Sequence, residues 1–451
     1  MWRKTCEDRS DTTACAGVAA VSRNRYDLAT ALRIVRSMET SAVRGAVFAE
    51  IKRKNALYRV VDALYSRAGA HLMQPLALFV YMLKSILSLG PFEIDDAEAV
   101  SVSSFENEWH SLDRVLTLVP DITLLRLSLT RGHLLGCRQL RAAYLMLVRA
   151  PRIWPFLSRL VRSYNFMPSA RIASALAYYI RFVHLFAEDA NLATAIVASN
   201  YSPEAVGLAA AAHRMGRRVI YINHAPVPAN APWVPPVLAD CAILYGEAIK
   251  QTYLHRSCCT AEVAVIGQPW TARPMEWRGK VGCIGIFLTA LTRADVVYEL
   301  VSAIRRSHPE VRIVIRNHPV ALLRTDFSDL EQQDPKVDIT IGNPLDDEIV
   351  SCDFIICGNS GVALNALSSG RPVAYMDQLD GLNFDYNGFV ANGLVCHVTG
   401  WDDEVYTRLK RFYQNPAWQS IMRSYDASYG GDATELENAA ADMIRRYIGQ
   451  A

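Results

Sequence analysis

The tetrapeptide Gly358-Asn359-Ser360-Gly361 stands between the apolar run FIIC and a stretch rich in alanine and leucine. Glycines allow a close backbone approach, and the first free N–H groups of a helix favour an anion such as a diphosphate. An ordinary strand-to-helix turn, capped by Asn359 or Ser360, would use the same residues. The tetrapeptide therefore predicts either a phosphate-binding loop or a capped turn.

Arg316 and His318 follow another apolar run, in the segment IVIRNHP. A guanidinium group presents a planar fork of donors that suits phosphate, and His318 can donate to a leaving oxygen. Because ligands bind beyond the carboxyl ends of strands in open α/β sheets, this placement favours phosphate binding at residues 358–361. The alternatives are a surface ion pair for Arg316 and a turn role for His318.

Two weaker candidates end neighbouring apolar runs. Thr289, with Thr292, is predicted to touch the same phosphates from the opposite wall of a cleft. Asp377 follows the run VAYM. It is predicted to meet a ribose or a base, with a simple loop carboxylate as the alternative.

His224 ends the run VIYIN and opens a loop with five prolines. A histidine with a pKa of about 6.5 can remove a proton at neutral pH, so we predict that His224 is a general base. A structural histidine bonded to the proline-rich loop is the alternative. Asp240 and Glu247 flank the next run, CAILY, and are predicted to orient His224 or bind a second substrate, unless they are solvated strand ends.

Metal chemistry is not expected from this sequence. No Asp-x-Asp segment suits a metal–nucleotide complex, and Asp346-Asp347-Glu348 fits the first turn of a helix. The ten cysteines lack the spacing of a zinc site. Positive groups and a helix dipole are therefore expected to stabilise a leaving diphosphate.

Residues 122–186 contain ten arginines but no Asp, Glu or Lys. The segment RQLRAAYLMLVRAPRIWPFLSRLVRSYNF predicts a basic amphipathic helix broken at Pro151 and Pro155. Its composition suits anionic lipid headgroups or a lipid diphosphate, whereas ion pairs with carboxylates elsewhere are the alternative. Nucleic acid is disfavoured because no recognised binding module accompanies the charge. The candidate membrane or acceptor contacts are Arg138, Arg141, Arg149, Arg152, Trp154, Arg159 and Arg162.

These candidates require parallel strands to position them, and the hydrophobic pattern predicts such strands. Residues 195–222 have the pattern of strand, helix and strand, with Ser202-Pro203 at the helix start and Gly216 at its end. Residues 281–376 repeat this alternation, while residues 25–90 have helical spacing throughout. We predict an α/β protein with a helical N-terminal extension (1–95), two Rossmann-like domains (96–270 and 281–430) and a C-terminal helix (431–451).

The composition limits the class of protein, its partners and its compartment. Of the 451 residues, 51% are hydrophobic and 20% charged, as in ordered globular proteins. The net charge of +2 indicates no class of partner by itself. Scattered, reduced cysteines favour the cytosol, and the N-terminus lacks the pattern of a signal peptide. The most apolar segment, LALFVYMLKSILSLG, is shorter than the roughly 20 residues that a membrane span requires.

The order of these motifs resembles that of GT-B fold transferases that build bacterial surface polymers. RNHP, CDFIICGNSG and GRPV follow one another in the second half, and IYINHAPVP, LADCAILYGEAIKQTY and VAVIGQPW in the first. The tail SYGGDATELENAAADMI is also similar. The nearest groups in pattern are the CDP-glycerol glycerophosphotransferases and the capsule polysaccharide transferases, over roughly residues 190–450. Asn-His-Ala replaces their Gln-His-Gly, and Gly-Asn-Ser-Gly replaces the Thr-Asp-Tyr-Ser-Ser of the teichoic acid enzymes.

The resemblance implies an inverting, metal-independent glycosyltransferase with the GT-B architecture, two domains facing across a cleft. It would use no bound cofactor and would take a CMP-, CDP- or UDP-linked donor. It would move a sugar or an alditol phosphate to a glycan or lipid-linked acceptor, on the cytoplasmic face of a bacterial membrane. Residues 281–430 would bind the donor, and residues 96–270 the acceptor.

Two other functions fit parts of the pattern. Non-hydrolysing UDP-sugar 2-epimerases have an Asp-Ser-Gly-Gly loop that is similar to Gly-Asn-Ser-Gly. They also carry a His-Arg-Arg-Glu-Asn stretch where this chain has LTALTRAD, which makes the epimerase the weaker prediction. The third possibility is a catalytically silent subunit that binds glycan. The sequence does not name the sugar, the base, the acceptor or the oligomeric state.

Overall fold

The computed structural model describes residues 26–90, 96–129, 137–269 and 272–448, with side chains from residue 139 onward in the third range. Its first elements are four helices. Three of them begin at a side chain that accepts a backbone N–H bond, namely Asp27, Ser41 and Asn55. The helices are α1 (Leu28–Glu39), α2 (Ala42–Lys54), α3 (Ala56–Arg67) and α4 (Met73–Ser88).

The first sheet has six parallel strands in the spatial order β2-β1-β3-β4-β5-β6. The order reverses between β1 and β3, which makes this edge a topological switch point. The strands are β1 (Ala99–Ser103), β2 (Leu124–Ser128), β3 (Thr194–Val197), β4 (Arg218–Ile222), β5 (Cys241–Leu244) and β6 (Glu262–Val265). The helices between them are α5 (Glu106–Thr117), α6 (Cys137–Ser163), α7 (Phe166–Glu188), α8 (Pro203–Arg214) and α9 (Glu247–Arg256).

The predicted break in the arginine-rich helix is wrong. The helix α6 runs through 27 residues with Pro151 and Pro155 inside it. Each proline removes one backbone hydrogen bond. The buried side chains of Ile153 and Leu157, between and beside the prolines, anchor the helix to the core and hold it together.

The second sheet also has six parallel strands, in the order β12-β11-β10-β7-β8-β9. Counted from β7, this is the order of a Rossmann fold, with its switch point between β7 and β10. The strands are β7 (Cys283–Phe287), β8 (Arg312–Arg316), β9 (Val337–Thr340), β10 (Phe354–Cys357), β11 (Val373–Tyr375) and β12 (Cys396–His397). The helices are α10 (Ala294–Ser307), α11 (Ser328–Gln333), α12 (Leu345–Ser351), α13 (Val362–Ser368), α14 (Val405–Tyr413) and α15 (Pro416–Tyr425).

The predicted fold class is confirmed: two Rossmann-like domains and a helical N-terminal part. The extension shares a core with the first sheet, since Val35, Met82 and Ile86 are buried in the same cluster as Val197 and Leu244. Within the described residues, no helix is long and apolar enough to cross a membrane.

The chain passes between the domains twice. It leaves the first sheet after β6, and it returns when the last helix, α16 (Thr434–Ile448), packs Ile444 against that sheet. The two crossings touch: the buried Asp426 accepts the Gln268 N–H at 3.0 Å and the Ser368 hydroxyl at 2.7 Å.

Candidate functional site

The carboxyl ends of the two sheets face each other across one cleft. The loop after β4 carries Pro226, and the loop after β10 carries Gly361. A Cβ atom built on Gly361 would lie 3.1 Å from Cδ of Pro226, so the two loops are in direct contact. Crevices of this kind, beyond the carboxyl ends of parallel strands, are where ligands bind in α/β proteins.

A second contact closes the cleft beside the first. Asn230, in the loop after β4, donates its backbone N–H to the carbonyl of Tyr386 at 3.2 Å. Its side-chain amide donates to the carbonyl of Asp385 at 2.7 Å. Gly388 has a φ of +74°, and a Cβ there would lie 3.0 Å from Ala229. The close approach therefore favours glycine at this position.

His224 lies at the carboxyl end of β4, where it was predicted. Its Nδ1 donates to the carbonyl of Ala198, directly after β3. This bond leaves Nε2 as the acceptor nitrogen, and Nε2 has no hydrogen-bond partner within the part of the chain that the structure describes. Burial lowers the pKa of His224, and the negative charge of Glu108 opposes this effect. The neutral imidazole is the form that can accept a proton.

Two buried carboxylates lie in the first turns of α5 and α8, and neither was predicted from the sequence. Glu108 accepts from the Ser103 hydroxyl at 2.5 Å and from the Ser104 N–H at 3.0 Å. Glu204 accepts from the Ser104 hydroxyl at 2.5 Å. Burial raises the pKa of Glu204. In the sequence both resemble ordinary first-turn helix acids, so only their burial separates them from solvated ones.

The helix α2 contributes a cation to the same region. The Arg44 guanidinium lies 5.9 Å from the ring centroid of Tyr201, whose ring is 6.5 Å from that of His224. The charge of Arg44 also acts on the pKa of Tyr386, in the loop from the other domain. The Nε of Arg44 is buried and has no hydrogen-bond partner among the described residues. Arg44 was not predicted, because an arginine in a helix normally belongs to a solvated face.

The tetrapeptide at residues 358–361 forms a capped turn. Ser360 donates its N–H to the Gly358 carbonyl at 2.8 Å, and its hydroxyl accepts from Val362 N–H at 3.3 Å. Asn359 is used in the loop that follows: its side chain donates to the Phe384 carbonyl at 2.8 Å and accepts from the Tyr386 N–H at 2.7 Å. The capped turn is therefore present, at the β7/β10 switch point. Phosphate binding here stays a prediction, and the side chain of Asn359 already makes hydrogen bonds within the protein.

Asp380 ties the turn to Thr289 and was not predicted. Thr289 donates its hydroxyl to Asp380 at 2.9 Å, and a Cβ on Gly358 would lie 2.9 Å from Cβ of Asp380. Burial raises the pKa of Asp380. The Thr292 hydroxyl accepts from Thr289 N–H at 2.9 Å, so this side of the crevice is built from mutual hydrogen bonds.

Arg316 is engaged in an ion pair inside its own domain. It pairs with the buried Glu348 on α12 and donates to the Asn343 carbonyl at 2.9 Å. Asn343 donates to the second carboxylate oxygen of Glu348 at 2.9 Å. Arg316 therefore forms the ion pair that was predicted as the alternative to a phosphate contact. Its partner, the carboxylate of Glu348, is buried rather than at the surface.

His318 is held as a neutral side chain next to the N-terminal extension. Its Nδ1 accepts from Val320 N–H at 3.1 Å, and burial lowers its pKa to about 4. Lys54, at the end of α2, donates to the carbonyl of Leu323 at 2.8 Å and to the Thr325 hydroxyl at 2.9 Å. The extension thus reaches the second domain at the loop that carries His318.

Asp240 is not brought to His224. It accepts from His213 Nε2 at 3.1 Å and from Val219 N–H at 2.8 Å, at the amino end of β4. Five residues of strand, roughly 16 Å, separate that end from His224. The prediction that Asp240 orients His224 is therefore wrong.

Glu247 and Asp377 have partners of their own. Glu247 is exposed and binds Lys250 and Gln251 on its own helix. No described contact links it to His224. Asp377 lies 3.5 Å from His397 Nε2, past the end of β11. It is partly exposed at the same edge as the turn at residues 358–361.

The arginine-rich helix contains both paired and unpaired cations. Arg141 pairs with Glu188 at 3.3 Å. The side chain of Arg138 lies outside the described residues, and Trp154 is partly exposed. Among the described residues, no ion pair is formed by Arg149, Arg152, Arg159 or Arg162, and the last three are exposed.

A cavity of about 580 Å³ lies between the extension and the junction of α6 and α7, apart from the two loops that meet at the cleft. It is lined by residues of α2, α3 and the ends of α6 and α7, including Lys52, Tyr58, Asp62 and Arg162. In the part of the chain that the structure describes, no group of three or more His, Cys, Asp or Glu residues is placed to hold a metal ion.

Comparison with known proteins identifies no family. No family model matches the chain. No curated protein matches it either.

Solved structures of similar architecture exist at very low identity. A UDP-GlcNAc 2-epimerase from Neisseria meningitidis, bound to UDP-GlcNAc, is 14% identical, with a TM-score of 0.48, covering 78% of this chain and 100% of that one. The glycosyltransferase SnogD from Streptomyces nogalater is 12% identical, with a TM-score of 0.46, covering 77% and 99%. Anabaena HepE with UDP-glucose is 11% identical, with a TM-score of 0.42, covering 77% and 99%.

Proposed function

We propose that this protein is an inverting glycosyltransferase that takes its sugar, or an alditol phosphate, from a nucleotide-activated donor. One observation carries the proposal: loops at the carboxyl ends of the two sheets meet at one cleft, and Nε2 of His224 lies there with no hydrogen-bond partner among the described residues. A bisubstrate reaction needs such an arrangement, because one domain can hold the donor while the other presents the acceptor.

His224 is proposed as the general base. Its Nδ1–H is fixed on Ala198, so the lone pair of Nε2 is available for the proton of an acceptor hydroxyl. The Ala198 carbonyl also favours the protonated ring once the proton has been transferred, because its hydrogen bond from Nδ1–H becomes stronger when the ring is charged. With a sugar donor, the oxygen that loses its proton then attacks the anomeric carbon, and the bond from this carbon to the nucleotide phosphate breaks on the opposite face. With an alditol phosphate donor, the same oxygen attacks the phosphorus, and the nucleoside monophosphate leaves.

Arg44 is proposed to stabilise the leaving diphosphate. Its buried Nε has no partner among the described residues. Burial raises the pKa of Tyr386, on the donor side, and the positive charge of Arg44 opposes this effect. A preorganised cation at the position of developing negative charge lowers the barrier without a metal ion. The crevice between β7 and β10, lined by Gly358 and Thr289, is proposed to hold the nucleotide. The turn at residues 358–361 would contribute through its backbone.

The acceptor is proposed to be a surface glycan or a lipid-linked precursor, and the donor nucleotide to be CMP, CDP or UDP. The resemblance to surface-polymer transferases supports this class.

The experiment begins with a thermal-shift screen of CMP, CDP, UDP and GDP, because a ligand that binds only the folded form raises the melting temperature. The matching activated donors are then incubated with the protein and acceptor extracts, and the released nucleotide is quantified. A glycosyltransferase releases nucleotide only with acceptor. An epimerase changes the sugar while the nucleotide stays attached, and a silent subunit binds without any turnover. Failure of all four nucleotides to stabilise the protein would contradict the proposal.

A further inference from the structure

Three helices of the N-terminal domain expose apolar side chains in regular stripes. On α3 they are spaced by three and four residues, from Leu72 along α4 by one, three and four, and on α6 by four, three and one, which places each set on one helix face. Each of these side chains is 41–71% exposed. The set, called here the apolar stripe, is Leu57, Val60, Leu64, Leu72, Met73, Leu76, Val80, Leu140, Tyr144, Leu147 and Val148.

The helix α4 contacts both α3 and α6, which places the three sets in one region of the N-terminal domain. The helix α4 packs along α6 through the shared core that contains Leu78, Met82 and Met146. At the other edge, Gln74 on α4 donates to the Tyr65 carbonyl at the end of α3 at 2.8 Å. An apolar surface built from several adjacent helices is larger than isolated exposed side chains would produce.

Charge on these three helices is mainly positive. The sequences of α4 and α6 contain no Asp or Glu, and the single acid of α3, Asp62, is buried and bonded to Lys52. Glu188, at the end of α7, is paired with Arg141 on α6. Unpaired cations remain among the described residues: Arg59, Arg67 and Lys84 are exposed, as are Arg152, Arg159 and Arg162 on the second half of α6. Apolar residues flanked mainly by cations are the composition of helices that lie in the plane of an anionic bilayer.

The exposed prolines of α6 fit the same arrangement. Pro151 and Pro155 stand on the outer side of the helix, between the apolar residues and the arginines. A protein partner with carboxylates would also suit these cations, but a second copy of the chain would not, since two such faces would bring like charges together.

We propose that the apolar stripe and the arginines beside it dock this protein on an anionic lipid bilayer, with α3, α4 and α6 lying along the headgroups. The helices rest on the membrane and do not cross it. This inference is independent of the proposed transfer reaction, because it concerns binding without any substrate.

The test is sedimentation of the full chain with two kinds of vesicle. One is pure phosphatidylcholine, and the other is phosphatidylcholine containing phosphatidylglycerol. We expect partitioning onto the anionic vesicles that falls as salt rises, and much weaker partitioning onto the neutral ones. An absence of binding to anionic vesicles at low salt would overturn the proposal.

Matched substitutions separate this surface from a general effect of charge. Leu147→Glu on α6 and Val80→Glu on α4 are each expected to reduce partitioning on the order of tenfold. Leu254→Glu, on the exposed side of α9 and 50% exposed, is the control and should bind as the wild type does. Equal loss in the control would contradict the proposed surface. If one variant on the stripe fails to fold, the other, on a different helix, still gives the result.

The arginines are tested in the same way. Arg152→Glu with Arg159→Glu should weaken binding at low salt by more than about tenfold, whereas Arg306→Glu on α10 should have little effect. Light scattering without vesicles completes the design. A stable dimer that Leu147→Glu dissociates, in a protein that ignores vesicles, would show that a second copy covers this face.

Discussion

The imidazole of His224 donates from Nδ1 to the carbonyl oxygen of Ala198, and this bond joins the carboxyl ends of β4 and β3. It fixes both the ring orientation and the tautomer. For a general base, His224→Gln should lower kcat by on the order of 10² to 10⁴. His255→Gln, an exposed histidine on α9, is the control and should leave kcat unchanged. Equal kcat for wild type and His224→Gln would reject the assignment.

The pH dependence of the reaction follows from the environment of His224. Burial lowers its pKa, so the neutral base persists below the ordinary value of about 6.5. The acid limb of kcat/KM should therefore have its midpoint below pH 6.5, with activity constant above it until another group titrates. A midpoint clearly above 6.5 would mean that a different group is titrating.

Arg44 should contribute to nucleotide binding and little to folding. Its Nε makes no hydrogen bond among the described residues, so Arg44→Gln gives up only the contact of the guanidinium with the ring of Tyr201. A charge-assisted bond is worth about 1.5–3 kcal/mol, and the Kd of the nucleotide diphosphate should rise on the order of tenfold to a hundredfold. Arg53→Gln, on the same helix but paired with Glu50, is the control. Calorimetric titration measures both, and identical Kd values would remove Arg44 from the site.

Gly361 tests whether the closed cleft is needed for turnover. Its φ is −61°, so a larger residue fits the backbone, but its Cβ would lie 3.1 Å from Pro226. Gly361→Val should therefore keep its melting temperature while losing most of the transfer rate, because the two domains can no longer approach. At Gly279 a Cβ meets nothing within 4 Å, and Gly279→Val should behave as the wild type. Small-angle scattering with nucleotide would show whether closure is lost. Full activity of Gly361→Val would mean that this contact is dispensable.

The pair of Arg316 and Glu348 is expected to stabilise the second domain. Arg316→Met leaves the carboxylate buried without its partner, which should reduce the free energy of unfolding by about 3–5 kcal/mol. Arg312→Met breaks an exposed pair with Asp338 and should reduce it by no more than about 1 kcal/mol. Denaturant titration compares the two. A nucleotide Kd that rises in Arg316→Met while stability stays constant would instead support the predicted contact with phosphate.

His318 should make stability fall at acid pH. Its pKa is lowered to about 4 in the folded protein, below the unfolded value of about 6.5. A depressed histidine pKa means that the unfolded chain binds the proton first, so stability declines as the pH falls from about 6.5 toward 4. His318→Asn should flatten this decline between pH 7 and pH 5. Unchanged slopes in the two proteins would show that His318 is already protonated when folded.

The secondary structure was largely available from the sequence because apolar runs mark buried parallel strands. The run FIIC forms the strand Phe354–Cys357. The helix that was predicted to start at Pro203 and to end before Gly216 runs from Pro203 to Arg214. Pro151 and Pro155 were misread because tertiary packing overrides their effect on a long helix. A local pattern does not contain that packing.

The candidate site was predictable only in part. The position of His224 after a strand was readable, whereas Arg44 was not, because it reaches the site from a helix some 180 residues earlier in the chain. The loops that hold Gly361 and Pro226 meet through the relative placement of two domains. Asp240 was misplaced for a simpler reason: a residue before a strand and a residue after the neighbouring parallel strand lie at opposite edges.

Asp426 determines how the two halves of the molecule can move. Because it binds Gln268 on the outgoing crossing and Ser368 in the second domain, both crossings are fastened at one buried point. Two chain crossings joined at one point are expected to act as a hinge, which permits rotation of the domains about one axis and resists rotation about the others. Opening at the far rim, where Asn230 meets Tyr386, is then the movement that we expect to admit the substrates of the proposed reaction.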